Sequence, residues 1–533
     1  MSLDRNLSLT GEAPRALNSE QKGATALGMV GLIIMLLATF NVELQPRWLF
    51  LTLSLSALAG GIIWFSKASY AGLSKGIKND GAFLKPMTSR GTVAYATGIS
   101  LTGFYIILYF FPELIGLNNE GANTGLVALF DPLSQFLADR PASQWFVYGT
   151  LYTVAILFFG IKFMWKYRHN RYQKLRTFSV SFFQLGFAFI IPELMARLNS
   201  ENFSLPYYDL KNIWPLNYYN FEQYRVDSMI EAGDIGIGLL IFGVASIFII
   251  TPILTFKYGK RWYCSWVCGC GGLAETAGDP YRHLSDKSTR AWKIERWLVH
   301  VVVVFVTLMT TAVIYSYLGT DTSKYWLTKT SFLLGVAGIL TLVFAWVMIF
   351  KRDRIQKDAQ YGAIGFFVFI IGLISLHFTS GTDQLFLLPA GDLQKSYGFL
   401  IGSIFSGVIG TGFYPILGNR VWCRFGCPMA AILGFQQKLF SRFRITTNGG
   451  QCISCGNCST YCEMGIDVRA YAQKGQNIVR SSCVGCGICS AVCPRGVLKL
   501  ENDKVKGRIN PKDVLLGNDV NLMEYVNSKI KNF

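Results

Sequence analysis

Two stretches near the end of the chain, CISCGNCSTYCEMG at 452–465 and CVGCGICSAVCPRG at 483–496, share the cysteine spacing C-x2-C-x2-C-x3-C. In a run of this kind the first three cysteines ligate one [4Fe-4S] cubane and the fourth ligates the neighbouring cubane. The spacing therefore predicts a small domain with two clusters. The first would be held by Cys452, Cys455, Cys458 and Cys493, and the second by Cys483, Cys486, Cys489 and Cys462.

The alternative occupant of these cysteines is structural zinc. Zinc sites commonly separate their cysteine pairs by a dozen residues or more, so the tight runs favour iron–sulfur clusters. The first run has Glu463 where the second run has Pro494. A carboxylate beside a cluster disfavours the addition of an electron, so Glu463 is expected to lower the reduction potential of its cluster.

The composition indicates that this domain is attached to a membrane protein. Of 533 residues, 51% are hydrophobic and 15% are charged, whereas soluble domains average about 25% charged residues. The thirteen cysteines lie in closely spaced sets, apart from Cys270, which sits beside one of them. This arrangement is typical of metal sites and not of a disulfide framework, so the cysteines are expected in a reducing compartment.

Ten apolar runs are long enough to cross a hydrocarbon layer of about 30 Å. The first follows a basic segment but lacks a small-residue cleavage site, so it is expected to be retained. The sequence thus predicts an α-helical polytopic membrane protein with a small C-terminal α+β dicluster ferredoxin domain. The predicted spans are 24–41, 48–66, 92–111, 145–164, 177–195, 235–256, 297–317, 330–350, 361–379 and 397–417.

The loops between these spans alternate in charge. The loops that begin at Lys67, Lys166 and Lys351 are rich in Lys and Arg, whereas the loops 112–144 and 196–233 carry few basic residues. The positive-inside rule places the basic loops, both chain termini and the clusters in the cytoplasm. Most of the net charge of +18 follows from this asymmetry, so no binding of nucleic acid is expected.

The predicted organisation has five parts along the chain. After about residue 440 the sequence becomes polar and rich in Gly and Cys, without another membrane-length apolar run. The parts are a cytoplasmic N-terminal segment at 1–23, a first transmembrane part of about five helices at 24–234, a membrane core at 235–440, the ferredoxin domain at 441–505 and a cytoplasmic tail at 506–533.

The membrane core carries two further cysteine motifs. GKRWYCSWVCG from Gly259 and GNRVWCRFGCP from Gly418 share G-x-R-x-x-C-x-x-x-C, and each follows a membrane helix, which indicates an internal duplication. Four thiolates are enough for one more [4Fe-4S] cluster, expected at the membrane surface between the two halves. Its candidate ligands are Cys264, Cys268, Cys423 and Cys427, with Cys270 as a substitute for Cys268.

The occupant of this C-x3-C site is left open by the sequence. A structural zinc, two separate redox-active thiol pairs, or two clusters completed by other ligands are the alternatives to a single cluster. Arg261 and Arg420 occupy equivalent positions in the two motifs. They are expected to offset the negative charge of a centre there, or to anchor the helix ends at the membrane interface.

Other polar residues of the membrane part give weaker signals. The sequence Pro-Glu-Leu occurs at the outer ends of two helices, so Glu113 and Glu193 are candidates for a proton or quinone site, or are solvated helix-end carboxylates. Of the four histidines, His300 and His377 lie in membrane helices at different depths. A bis-histidine haem is therefore not expected, and no catalytic residue is assigned.

Paired C-x3-C motifs after membrane helices, followed by a dicluster ferredoxin, resemble the membrane polyferredoxins of the NosR, NapH and CcoG (RdxA/FixG) type. The resemblance covers roughly 235–500 and implies a multi-pass protein of the bacterial cytoplasmic membrane whose clusters face the cytoplasm. It also implies electron transfer, with quinol oxidation or copper reduction known among the members. The chain departs from the pattern at Gly269, where a proline is usual, and in its four to five additional N-terminal helices.

Together these features predict an iron–sulfur protein that passes electrons between cytoplasmic clusters and a quinone pool, a metal ion or a partner respiratory subunit. Two other roles remain open: a copper reductase or accessory protein for metalloenzyme maturation, and an electron-wire subunit of a larger respiratory complex. The outer loops lack runs of Met and His, which counts against copper capture. The expected partners are the lipid bilayer and a quinone or redox protein.

Overall fold

The structure, a computed structural model, describes residues 17–71, 85–199, 205–206, 208–320, 322, 324–381 and 384–502. The predicted tail at 506–533 and most of the predicted N-terminal segment lie outside these residues. Within them, the chain is mostly helical and ends in a small domain with a two-stranded sheet.

Nine helices in the described part of the chain are long and apolar enough to cross a membrane. They coincide with nine of the ten predicted spans, but some extend further because polar residues continue a helix beyond its apolar stretch. The nine helices are Ser19–Thr39, Arg47–Tyr70, Thr92–Phe110, Gln144–Lys166, Arg171–Arg197, Asp234–Tyr258, Thr289–Tyr317, Lys329–Phe350 and Lys357–Ser380.

The tenth predicted span, 397–417, is helical but irregular. The α-helix Ala390–Tyr397 continues into a π-helical segment, Gly398–Ile409, and the short helix Tyr414–Leu417 follows a turn. Glycine weakens a regular helix, which explains the irregularity. The glycines of this stretch are Gly398, Gly402, Gly407, Gly410 and Gly412.

Shorter elements connect the long helices. The short α-helices are Lys85–Thr88, Gly125–Ala138, Gln223–Glu231, Arg261–Cys264, Gly269–Thr276 and Pro428–Phe440. Turns of 3-10 helix lie at Pro112–Ile115, Asp279–Leu284, Arg352–Arg354, Leu385–Leu387 and Gly449–Gln451. Gly269–Thr276 and Pro428–Phe440 are equivalent, because each begins directly after the second cysteine of a C-x3-C motif.

The C-terminal domain is built around two antiparallel strands, Arg444–Thr447 and Leu498–Glu501. Arg444 pairs with Glu501, and Thr447 pairs with Leu498. Both cysteine runs lie between the two strands in the sequence, so the sheet pairs the beginning of the domain with its end. Its short helices are Asn457–Thr460, Val468–Gln473 and Ile488–Ala491.

The start of the first helix and the ferredoxin domain lie at the same end of the bundle. Gln21 Nε2 donates to Ser69 Oγ at 3.2 Å, at the end of the second helix. Arg168 Nη2 donates to Ala71 O at 2.9 Å, and nearby Tyr172 OH donates to Gly485 O in the ferredoxin domain at 2.8 Å. A chain that crosses the membrane an even number of times has both of its ends on the same side, and this arrangement agrees with that expectation. That this end faces the cytoplasm stays a prediction.

Candidate metal centres

The two ferredoxin-type runs fold alike. Gly456 and Gly487 occupy equivalent positions, with φ of +79° and +78°, a left-handed conformation that glycine adopts without strain. Each begins a one-turn helix that contains the third cysteine of its run, Cys458 or Cys489. The local fold therefore presents the cysteines of both runs to two equivalent sites.

The first site is a cavity with four cysteines in its wall, Cys452, Cys455, Cys458 and Cys493. Burial, and then the neighbouring Cys493 and Cys455, raise the pKa of Cys458 to about 12. Val497 N donates to Cys493 Sγ at 3.4 Å, and such N–H donors stabilise electron-rich sulfur. An unmetallated set of four close thiols would be costly to ionise, whereas a cubane takes four thiolates.

The second site gathers the remaining four cysteines of the domain. Burial raises the pKa of Cys489, and Cys486, Cys462 and Cys483 add to this effect in that order. Cys462 therefore lies with the second run and Cys493 with the first, as the crossed spacing predicts. The residues fit [4Fe-4S] clusters, and their assignment as ligands stays a prediction.

The C-x3-C cysteines of the two halves also come together. All four are buried in one core that also contains cysteines of the ferredoxin domain. Burial raises the pKa of Cys264 to about 12, with contributions from Cys268 and Cys423. Burial also raises the pKa of Cys427, to which Cys423 and Cys264 contribute. The internal repeat thus forms one four-thiol site from two distant stretches of sequence.

One wall of this C-x3-C site lies among the membrane helices. A Cβ on Gly269, the residue after Cys268, would collide with Gln184 Oε1 and lie 3.2 Å from Tyr152 Cε1. Both neighbours lie inside the membrane spans predicted for their helices, and Tyr152 is about 20 Å from the ferredoxin end of its helix. The chain thus turns back into the bundle after Tyr258, and the position of the site relative to a membrane surface stays a prediction.

The second motif reaches a comparable depth. Trp422 packs against Phe405, in the middle of the tenth span, with ring centroids 6.3 Å apart. The helix Pro428–Phe440 then leads back to the ferredoxin end, where Arg354 Nη1 donates to Leu439 O at 2.8 Å. Both motifs are thus carried into the bundle on re-entrant segments, and the short helix after each motif returns the chain.

A segment from the opposite end of the bundle reaches the same site. Residues 208–217 belong to the loop predicted to lie outside the membrane, yet Tyr208, Lys211 and Ile213 are buried. Tyr263 OH donates to Lys211 O at 2.9 Å, and Lys211 Nζ donates to Gln184 Oε1 at 2.7 Å. Ile213 packs in the core that holds the C-x3-C cysteines. This distal segment therefore covers the site from the side away from the ferredoxin domain.

The ferredoxin domain docks through its second run. Ser265, next to Cys264, donates from Oγ to Val484 O at 2.9 Å, and Lys260 Nζ donates to Ser481 O at 2.9 Å. Gln437 Nε2 donates to Cys483 O at 2.9 Å. The second run therefore faces the C-x3-C site. The first run lies on the other side of the domain, where Ile453 is 49% exposed.

Buried ion pairs join the domain to the membrane core. Arg282 Nη1 lies 2.5 Å from Glu463 Oε2, and Arg420 Nε lies 3.1 Å from Glu463 Oε1. Burial opposes ionisation of Glu463, but Arg282 and Arg420 outweigh it and lower the pKa of Glu463. Arg420 Nη1 also lies 3.5 Å from Cys423 Sγ. The expected role of Arg420 as a cation beside the C-x3-C cysteines agrees with this contact.

Two electrostatic expectations change with this geometry. Glu463 is fully buried between two arginines, so its charge is offset and it acts as a link between the domains. Arg261 does not occupy the position of Arg420. Its guanidinium stacks 4.7 Å from the centroid of Phe443 and donates to Asn502 Oδ1 at 2.9 Å, so it holds the ferredoxin domain.

The network extends to the end of the fourth membrane helix. Arg282 Nε and Lys166 Nζ both lie 2.6 Å from carboxylate oxygens of Asp279. Burial opposes ionisation of Asp279, but Lys166 and Arg282 outweigh it and lower the pKa of Asp279 to about 2. Glu275 pairs with Arg420 and Arg176. Sequence reasoning missed Glu275, Asp279 and Arg282 because each also pairs with a residue more than 100 positions away in the chain.

The outer-end carboxylates do not join these centres. Glu193 Oε2 forms an ion pair with Arg140 Nη2 at 3.0 Å. Glu113 is exposed in the turn Pro112–Ile115. Glu193 is thus explained by its ion pair, and a proton or quinone role for either residue stays a prediction.

Comparisons with known proteins agree with the cysteine motifs. The family described as "4Fe-4S dicluster domain" matches residues 444–494, and the family described as "4Fe-4S binding domain" matches twice, at 240–288 and 398–446. The two matches cover both C-x3-C motifs and agree with the internal repeat. [4Fe-4S] binding is thereby confirmed, whereas the number of clusters stays a prediction.

One similar protein is "Putative electron transport protein YccM" of Escherichia coli (strain K12), which is 39% identical over 228 residues. The match covers 43% of this chain and 48% of that protein, so the chain spans about half of the length of this relative. No solved structure matches the chain. With the nine long apolar helices, these similarities fit a membrane-associated 4Fe-4S electron-transfer protein.

Proposed function

We propose that the chain conducts electrons between the exposed side of its ferredoxin domain and the C-x3-C site inside the helix bundle. The order of sites would be first run, second run, C-x3-C site. When bound, [4Fe-4S] clusters supply one-electron redox chemistry at each of these positions.

The observation that carries this proposal is the contact between the two kinds of cysteine motif. Ser265 follows Cys264, Val484 follows Cys483, and Ser265 Oγ donates to Val484 O at 2.9 Å. A soluble carrier tied to a simple anchor would need no such contact. The buried ion pair of Glu463 with Arg420 joins the ferredoxin domain to the second C-x3-C motif at another point. The guanidinium of Arg420 also contacts Cys423 Sγ.

The protein's own residues would hold the sites and exclude water from them. The cysteines of the second run and of the C-x3-C site are buried or half-buried, and the four C-x3-C thiols lie in one apolar core. The buried arginines offset negative charge, which raises reduction potentials in an interior of low polarity. N–H donors to sulfur also raise the reduction potential, and Ala430 N lies 3.4 Å from Cys427 Sγ.

A direct test follows electrons between the sites. Anaerobically purified protein is mixed with a one-electron reductant and freeze-quenched at increasing times, and EPR spectra report each centre. We expect two ferredoxin-type signals, followed by a third signal that is lost in Cys423→Ser. A C-x3-C site that stays silent at all potentials while both ferredoxin signals develop would contradict the proposal.

The second part of the proposal concerns the electron donor or acceptor at the membrane side. We propose a quinone of the bilayer or a partner redox subunit, in the cytoplasmic membrane of a bacterium, with the ferredoxin domain in the cytoplasm. The name of the relative supports electron transport and gives no partner. Reduction of a centre by added quinol in the isolated protein would support a quinone. Failure of a quinol poised well below the centre's potential to reduce it would favour a partner subunit.

A further inference from the structure

Lys211 is a buried lysine whose ammonium group lies beside the C-x3-C site. Its side chain reaches the C-x3-C site from the distal segment, and the residue is 5% exposed. Its ammonium group donates to the amide oxygen of Gln184 at 2.7 Å. Among the residues that the structure describes, no carboxylate oxygen lies within 4.0 Å of Lys211 Nζ. Burying a cation costs free energy unless an anion lies nearby, so the negative groups around Lys211 decide its role.

The carboxylate nearest in sequence, Asp209, interacts electrostatically with Lys211, but its oxygens accept their hydrogen bonds from backbone N–H groups and a side-chain amide. Asp209 Oδ1 accepts hydrogen bonds from Lys211 N at 3.0 Å and from Asn212 N at 3.1 Å. Asp209 Oδ2 accepts from Asn212 Nδ2. Asp209 thus shapes the turn of the distal segment through its own backbone and one side-chain amide.

The ammonium group instead faces the C-x3-C cysteines. A Cβ placed on Gly269 would lie 2.9 Å from Lys211 Nζ, and Gly269 directly follows Cys268. A side chain larger than hydrogen there would displace Lys211 and Gln184.

A second lysine approaches the site from the opposite side. Lys260 is 2% exposed, and Lys260 Nζ donates only to the carbonyl oxygens of Ala430 at 3.2 Å and Ser481 at 2.9 Å. In the described part of the chain, Lys260 also has no carboxylate within 4.0 Å. Among the residues that the structure describes, two buried lysines without a carboxylate within 4.0 Å therefore lie beside the four thiols.

We propose that Lys211 supplies the counter-charge for an anionic centre held by the C-x3-C cysteines and thereby sets the reduction potential of that centre. Four thiolates around an iron–sulfur cubane carry net negative charge, and an additional electron increases it. A fixed cation in the low-polarity interior favours the reduced state. This inference rests on the proposed function, because it assumes that the C-x3-C site is redox-active.

The test compares Lys211→Met and Lys211→Arg with wild type by EPR-monitored potentiometry of the full-length protein in detergent. Lys211→Met removes the charge with little change of length, and Lys211→Arg keeps the charge. We expect Lys211→Met to lower the reduction equilibrium constant of the C-x3-C centre at least tenfold, a shift of 59 mV for a one-electron couple. The two ferredoxin centres should keep their potentials, and Lys211→Arg should stay close to wild type.

Gln184→Glu provides a second variant if Lys211→Met fails to assemble. It places a carboxylate where Lys211 Nζ now meets an amide oxygen, so it neutralises the cation and should lower the same potential. A C-x3-C signal that keeps its wild-type potential in both Lys211→Met and Gln184→Glu would overturn this inference and leave the proposed function standing. A wild-type protein without any third redox signal would instead overturn the proposed function, and the inference with it.

Discussion

The carboxylate of Glu463, next to a ferredoxin cysteine, lies 3.1 Å from Nε of Arg420, three residues before a C-x3-C cysteine. Both side chains are fully buried, and Arg282 contacts the same carboxylate. The ferredoxin domain is thus fixed to the membrane core by an ion pair placed between two sets of cysteines.

Glu463→Gln should loosen this attachment. The substitution leaves Arg282 and Arg420 buried with a neutral partner, and breaking a buried ion pair commonly costs about 3–5 kcal/mol. We expect faster proteolytic release of the ferredoxin domain at a given temperature. The matched control is Glu501→Gln, which removes an ion pair to Lys499 at 3.6 Å where the lysine side chain is 58% exposed. Equal protease resistance of Glu463→Gln and the wild type would contradict the structural role of the pair.

Asp279 should make this part of the protein sensitive to acid. Its folded pKa of about 2 lies below the ordinary value of 3.8, so its ionised form stabilises the fold above about pH 4. This contribution, on the order of 2 kcal/mol, is lost as the pH falls through the folded pKa. The difference in Tm between wild type and Asp279→Asn should therefore be largest above pH 4 and shrink toward pH 2. A difference that grows on acidification would contradict this assignment.

Cys462 and Cys493 should each ligate the cluster of the other run. Cys462→Ser is expected to remove the centre of the second run, next to the membrane core, and Cys493→Ser the centre of the exposed first run. Each change should cost about four irons per chain. EPR should distinguish the two, because the second run contacts the segment that carries Cys264, so its centre is expected to couple magnetically to the C-x3-C centre more strongly than the first-run centre does. Loss of the first-run signal in Cys462→Ser would refute the crossed assignment.

Gly269→Ala should disturb the C-x3-C site and leave the ferredoxin centres intact. The added methyl group would collide with Gln184 Oε1 and lie 2.9 Å from Lys211 Nζ, and overpacking of this kind typically costs about 1–3 kcal/mol. Gly238→Ala is the control, since a Cβ there meets no atom within 4 Å. Iron content and EPR should change in the first variant only. Full retention of the third signal in Gly269→Ala would show that the site tolerates the displacement of Lys211.

The sequence predicts the parts of this molecule that depend on local spacing. Eight cysteines in two tight runs predict two sites, and the four-thiol site follows from the repeat of G-x-R-x-x-C-x-x-x-C. Nine long helices follow from apolar length alone. These features need no knowledge of distant contacts.

The neighbours of the C-x3-C site could not be predicted in the same way. Hydropathy assigns the polar residues after Tyr258 to the surface, because it does not show that Gln184 and the distal segment meet them inside the bundle. The loop containing Asp209 and Lys211 was assigned outside for the same reason. Similarly, Glu463 was expected to act as a free charge, whereas Arg282 and Arg420, more than 40 residues away, neutralise it.

The central claim is that both halves of the membrane core hold one redox centre. The most direct measurement is iron content together with EPR of Cys264→Ser and Cys423→Ser, prepared anaerobically beside Cys270→Ser and wild type. We predict about twelve irons in wild type and in Cys270→Ser, and about eight in each of the other two, with the same signal lost from both. About eight irons in wild type, or the loss of different signals from the two variants, would contradict the claim.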